Sequence, residues 1–258
     1  MGKNRNKFGF SLTELVLALG TLSIGMIFVA GVFPVAIYFS TQASEQTIAA
    51  VVAGEAFAKI RLFAVGDPTN PADDIDLYSL KFDALTNFVD ALPAGPPDLS
   101  EFAYPSDPDP TVDVLGRKYW WSAFLRRAGT DPCSPLVQVT VFVSRKTSPG
   151  TMYRNPDPIG PEVAYPMPVP VAVKPLGGNV LSIDDASKTF INDGYTISHG
   201  QTGRLYRVLE RRRAPDDATI VLDGDWIGMA DDVVWVVPPP QGGGRYPCIA
   251  VYQKLIRF

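Results

Sequence analysis

From Leu15 to Ser44 the chain runs for 30 residues without a single Asp, Glu, Lys or Arg. As a helix, that run is about 45 Å long at the standard rise, more than the roughly 30 Å of hydrocarbon in a bilayer. Lys3, Arg5 and Lys7 precede it, and basic residues beside an apolar span favour the cytoplasmic side. The amino terminus is therefore expected inside and the rest of the chain outside. A cleaved secretory signal has a shorter apolar core followed by a small-residue cleavage site, so a retained, anchored helix is predicted.

The other 200 or so residues are unlike that helix. With 24 Pro, 22 Gly and 19% charged residues in 258, the chain reads as globular and rich in turns, not as collagen, coiled coil or a disulfide-dense module. A formal charge of −4 gives no overall attraction to nucleic acid or anionic lipid. A zinc site built from Cys and His would need all of Cys133, His199 and Cys248, which lack the short ligand spacing such sites use.

Two features near the start are unusual for a plain anchor. Gly9 stands immediately before the apolar run, and a carboxylate, Glu14, lies inside its first two turns. An ionisable group at such a depth is expensive unless it is paired and is a functional hypothesis by default. The segment Gly9-Phe10-Ser11-Leu12-Thr13-Glu14-Leu15 resembles the cleavage and methylation site of type IV prepilins and type II secretion pseudopilins. Leu22-Ser23-Ile24-Gly25, followed by Ala30 and Gly31, resembles minor pilins of the type IV pilus modification class. The resemblance covers about the first 60 residues.

The resemblance implies cleavage between Gly9 and Phe10 by a membrane-embedded prepilin peptidase, followed by N-methylation of Phe10. Glu14 would then compensate the new α-amino charge, within the chain or on a neighbouring subunit. Pairing of two charges in a low-dielectric setting sets register, because each left alone costs several kcal/mol. Removing the leader takes three of the 23 cations and leaves 20 against 27 acids, formally −7. Pro34 lies deeper than the proline familiar in major pilins; an interior proline removes one backbone bond and bends a helix, so a bend is expected near residues 30 to 34.

The expected organisation is a leader (1–9), a transmembrane or assembly half-helix (10–40), an amphipathic half-helix (41–66) and an extracytoplasmic β-rich head (67–258). After Thr41, Ile48, Val51, Val52, Ala56, Ile60 and Phe63 recur at helical spacing. Gly66-Asp67-Pro68 supplies a stop. A short helix is predicted over Leu80 to Leu92. Strands are predicted over Tyr119–Arg127, Leu136–Arg145, Asn179–Ile183, Gly194–Ser198, Leu205–Arg211, Thr219–Leu222, Val233–Val237 and Ile249–Ile256. Proline-rich loops are predicted over residues 67–116 and 149–175. The fold class is α+β: a pilin-like long helix on a mostly antiparallel sheet.

Candidate chemistry in the head is sparse. His199, between Ser198 and Gly200, reads as a surface residue beside a turn, and no Gly-x-Ser-x-Gly elbow accompanies it. Cys133 and Cys248 lie in a compartment where disulfides persist; bonded, they would close a loop of about 116 residues worth on the order of 4 to 5 kcal/mol. Many pilins carry such a bridge, and two buried free thiols are the alternative. Asp223, Asp225, Asp231 and Asp232 resemble the carboxylate loops that hold calcium in some major pseudopilins, although turn and cap roles explain Asp beside Gly equally well. Arg211, Arg212 and Arg213 form the densest basic run. It is either a phosphate-contacting strip for DNA or a solvated strand edge, and Glu210, Asp216 and Asp217 flank it. Trp120, Trp121, Trp226 and Trp235 are assigned to the core, except that one of the adjacent pair is expected to point outward from a regular strand.

Taken together, the expectation is a non-enzymatic minor pilin or pseudopilin with no cofactor other than a calcium candidate. The resemblance implies as partners the prepilin peptidase, other pilins or pseudopilins, an inner-membrane assembly platform and membrane lipid. It implies as location the bacterial inner membrane and then the filament. The alternative is a pilus-tip adhesin or a DNA-binding minor pilin for DNA uptake.

Overall fold

In a computed structural model, residues 11–65, 80–92, 98–106, 113–130, 135–229 and 231–258 are described. The charge-free run belongs to one continuous helix, α1 (Leu12–Val65), which passes through Pro34 without interruption. Proline has no N–H, so the carbonyl of Ala30 one turn earlier lacks its usual helical partner. The chain divides into two units between Thr47 and Ile48.

In the second unit, α1 contributes Ala49, Val52, Ala53, Ala56 and Ile60, all buried, to a core shared with an antiparallel sheet. The small side chains of this stripe pack into one cluster with valines of the sheet. The sheet contains β1 (Thr86–Asn87), β2 (Ala103–Tyr104), β3 (Tyr119–Arg127), β4 (Leu136–Arg145) and, last in sequence, β11 (Cys248–Arg257). Strands β1 and β2 pair with opposite ends of β3, and β3, β4 and β11 then follow side by side. Nine of ten residues of β4 are buried. Val137, Val139, Val141 and Val143 face the helix, while Phe142 belongs to a second cluster with Phe124, Leu85, Val237 and Cys248. A strand covered on both faces reads as a continuous apolar run, as Leu136–Arg145 does.

Between β4 and β11 the chain builds a closed six-stranded antiparallel barrel. Its strands are β5 (Val169–Gly177), β6 (Val180–Ile183), β7 (Thr196–His199), β8 (Leu205–Arg211), β9 (Thr219–Leu222) and β10 (Asp232–Val236), arranged β10-β5-β6-β9-β8-β7. Closure comes from β10, which pairs with β5 along one side and with β7 along the other. Val169, Val171 and Val173 alternate inward from β5 and meet Val208, Leu222, Val234 and Val236. A barrel this small is filled by its own side chains and encloses no channel.

The turn between β7 and β8 locks the barrel to the sheet. The Leu85 amide donates to the Gly200 carbonyl (2.7 Å), and Gln253 Nε2 donates to the Gly203 carbonyl (2.7 Å). Gly203 has φ +67°, a backbone conformation that favours glycine, and a Cβ there would press on the Gln138 amide at 2.7 Å.

The α+β class and every strand pair fit antiparallel expectations, but three local expectations are corrected. Leu80–Leu92 is not a helix. It carries the two-residue β1 and a 3-10 turn, Val89–Ala91, because Thr86 and Asn87 pair with the end of β3 and the Phe88 amide donates to the Ala123 carbonyl of that strand (2.9 Å). The proline-rich stretch 149–175 contains most of β5, with Pro170 as its second residue; Pro175 borders a register shift, a place where a strand tolerates proline. Neither member of the Trp pair points into solvent. Trp121 donates to the Glu101 carbonyl (2.9 Å), while Trp120, 1% exposed, stacks on Tyr165 at 4.6 Å, a residue of that same proline-rich stretch.

Candidate functional sites

The first unit presents an apolar surface. From Ser11 to Thr41 every residue is exposed, and α1 has the length and apolarity to cross a membrane, with a mean hydropathy of 2.4 over its best window. Four of its hydroxyls are satisfied by the helix itself. Thr21, Ser23, Thr41 and Ser44 each donate to the carbonyl four residues earlier, at 2.8 to 3.1 Å, which suits a medium without water. Glu14 lies in the first turn, where the helix dipole favours negative charge. Gly9 and Phe10 lie outside the described residues.

A second constellation sits at one end of the barrel, where the sequence suggests a surface histidine, a calcium candidate in Asp232 and a core residue in Trp226, unconnected to one another. His199 is fully buried. Opposite Val234 on the closing strand pair, it shares the inward face of the barrel. Its Nδ1 accepts from the amides of Gln201 (3.0 Å) and Thr202 (3.2 Å), so in the neutral ring the proton resides on Nε2. Nε2 stands 3.1 Å from Asp232 Oδ2, within ion-pair range but without hydrogen-bond alignment. Asp232 also accepts from its neighbour's amide, Val233 N, at 2.8 Å. The Trp226 ring stacks on the imidazole at 4.5 Å, and its Nε1 is buried without a partner. Burial lowers the His199 pKa below its ordinary value. Asp232 and a backbone contact at Ile227 pull it back up, and Arg126 pushes it down again.

Gly228 closes this end. A Cβ on it would lie 2.4 Å from Trp226 Nε1 and 2.6 Å from both Asp232 Oδ2 and His199 Nε2. Glycine here is a packing requirement that no turn pattern in the sequence announces. Ser198 precedes His199 on β7 and so faces the other side of the strand. The two do not form a nucleophile and base pair.

The acidic candidates separate. Asp223 caps the Arg207 amide at 3.0 Å, Asp231 forms an exposed pair with Lys174, and Asp232 belongs to His199. Among the described residues no group of three or more His, Cys, Asp or Glu is placed to hold a metal ion. Cys248 is a free, buried thiol, lifted by burial to about 12. Cys133, its expected partner, lies outside the described residues.

The basic run also divides. Arg211 is held from within, donating from Nε to the Asp217 carbonyl (2.8 Å) and from Nη1 to Asn192 Oδ1 (3.0 Å). Arg212 and Arg213 are exposed. The fold adds Arg154, distant in sequence, which lies with Arg211 along one cleft of about 490 Å³. Comparisons of this chain with protein-family models, with curated proteins and with solved structures found no match.

Proposed function

We propose that this chain is a minor pilin or pseudopilin, a structural subunit of a type IV pilus or a type II secretion pseudopilus. In this reading a prepilin peptidase removes residues 1–9, Phe10 is methylated, and the subunit waits in the bacterial inner membrane with its head outside. It then enters a filament by stacking α1 against the helices of neighbouring pilins on an assembly platform. It performs no chemistry of its own. The observation that carries the reading is the uninterrupted exposure of Ser11 to Thr41, an apolar helical surface far larger than a soluble monomer leaves uncovered, directly behind the Gly9-Phe10 motif and bearing one carboxylate, Glu14.

The reading has a physical logic. Hydrocarbon and a bundle of apolar helices are similar media for α1, so moving between them has little net hydrophobic driving force, and specificity must come from elsewhere. Pairing Glu14 with an α-amino group supplies it, since an unpaired charge in that setting is strongly unfavourable.

Amino-terminal sequencing of the membrane-extracted protein tests the processing step; the expected first residue is a methylated Phe10, and any other start removes the basis of the proposal. Glu14→Ala is expected to leave insertion and cleavage intact while abolishing recovery in sheared filaments. Normal recovery of that variant would refute the assembly role.

A further inference from the structure

We infer that the cleft between Arg154 and Arg211 is a binding site for an anionic sugar, one carrying a carboxylate or a phosphate. The inference stands independently of the filament reading. The cleft is open to solvent on one side and is lined by Arg154, Arg211, Asn192 and the loop from Pro239 to Gly244. Its lining contains two arginines and no carboxylate. Neither arginine has a salt-bridge partner among the described residues.

The two cations play different parts. Arg211 is half-buried and its guanidinium plane is fixed by the bonds from Nε and Nη1 to Asp217 and Asn192, which leaves Nη2 for a ligand. A cation already immobilised loses little entropy on binding and presents a planar donor edge to an oxyanion. Arg154 is exposed, and its guanidinium lies 5.0 Å from the centre of the Phe190 ring, which lines the same cleft. The far wall is the loop through Gln241 to Gly244. Gly242, Gly243 and Gly244 have φ of +87°, +85° and +137°, and a Cβ on either of the first two would meet nothing within 4 Å. That wall therefore offers bare backbone to the ligand. Gln241 adds an amide group suited to a sugar hydroxyl.

Isothermal titration of the detergent-solubilised full chain with glucuronate, glucose 6-phosphate and neutral glucose tests this. Binding of either anion with at least about tenfold preference over glucose supports the site, and whichever anion binds tighter identifies the source of the charge. Arg154→Ala, which removes an exposed side chain and leaves the fold intact, is expected to weaken binding about tenfold or more, the scale of one charge-assisted hydrogen bond. Arg211→Lys, which keeps the charge but loses the fixed planar edge, is expected to weaken it as well. Equal affinity for glucose and the anions, no binding of either anion, or binding unchanged in both variants would overturn the inference. A preference for duplex DNA over both sugars, lost on replacing Arg212 and Arg213, would overturn it in favour of a phosphate-backbone strip.

Discussion

His199 and Asp232 face each other at 3.1 Å inside the closed end of the barrel, on β7 and β10, the two strands whose pairing completes the ring. The imidazole is fully buried with its Nδ1 committed to two backbone amides. Among the described residues, a charge at this point has one carboxylate, Asp232, close enough to compensate it.

The pH dependence of stability follows from that burial. The folded state lowers the His199 pKa, so between the folded value and the unfolded one of about 6.5 the unfolded chain binds more protons. Stability from this group is complete above about pH 6.5 and is lost as pH falls below it. Thermal melts of the full chain in detergent from pH 8 to pH 5 are expected to show a decline that His199→Gln flattens. An identical decline in that variant would assign the effect to other groups.

Gly228→Ala is expected to destabilise the barrel by about 1–3 kcal/mol, the cost of forcing a methyl into filled space. Its Cβ would meet three polar atoms within 2.6 Å. Gly129→Ala, where a Cβ meets nothing within 4 Å, serves as the control and should change stability far less. Equal melting of both variants would count against the packing described at this end of the barrel.

Cys248 should resist alkylation. With its thiol at about 12 and only the thiolate reactive, labelling by iodoacetamide at pH 8 is expected at least about a hundredfold slower in the native chain than in urea. Peptide mapping reads this directly, and comparable rates in the two states would contradict the buried environment.

Lys59 ties α1 to the segment after it in the sheet unit. Its Nζ reaches Glu101 Oε2 (2.8 Å), the Glu101 carbonyl (2.9 Å), Ser106 Oγ (2.6 Å) and Glu55 (3.3 Å). Lys59→Met retains the stem and deletes the bonds, with an expected loss of about 1–3 kcal/mol. A urea midpoint unchanged by that variant would show that the network is solvated and weak.

The parts legible in the sequence are those whose signals are local. The charge-free run marks α1, and the apolar runs at Tyr119–Arg127 and Leu136–Arg145 match β3 and β4 residue for residue. The barrel is not legible, because it depends on Val234 meeting His199 and Val180 meeting Val221, pairings between segments some 35 to 40 residues apart. The same distance hides the chemistry. His199 reads as a turn residue until β10 brings Asp232 to it. Arg154 reads as a loop residue until the fold sets it on the same cleft as Arg211. The hidden strand β5 fails for another reason: its prolines dominate the local pattern, while the decisive feature is the alternation of Val169, Val171 and Val173, all turned inward.

The back-bonded hydroxyls of Thr21, Ser23, Thr41 and Ser44 have a thermodynamic corollary. Each is a donor that asks nothing of its surroundings, since its bond travels with the helix. Exchanging one apolar environment for another therefore breaks none of these bonds and leaves no polar debt in either place. For this stretch of α1 these four hydroxyls give no preference for one apolar environment over another.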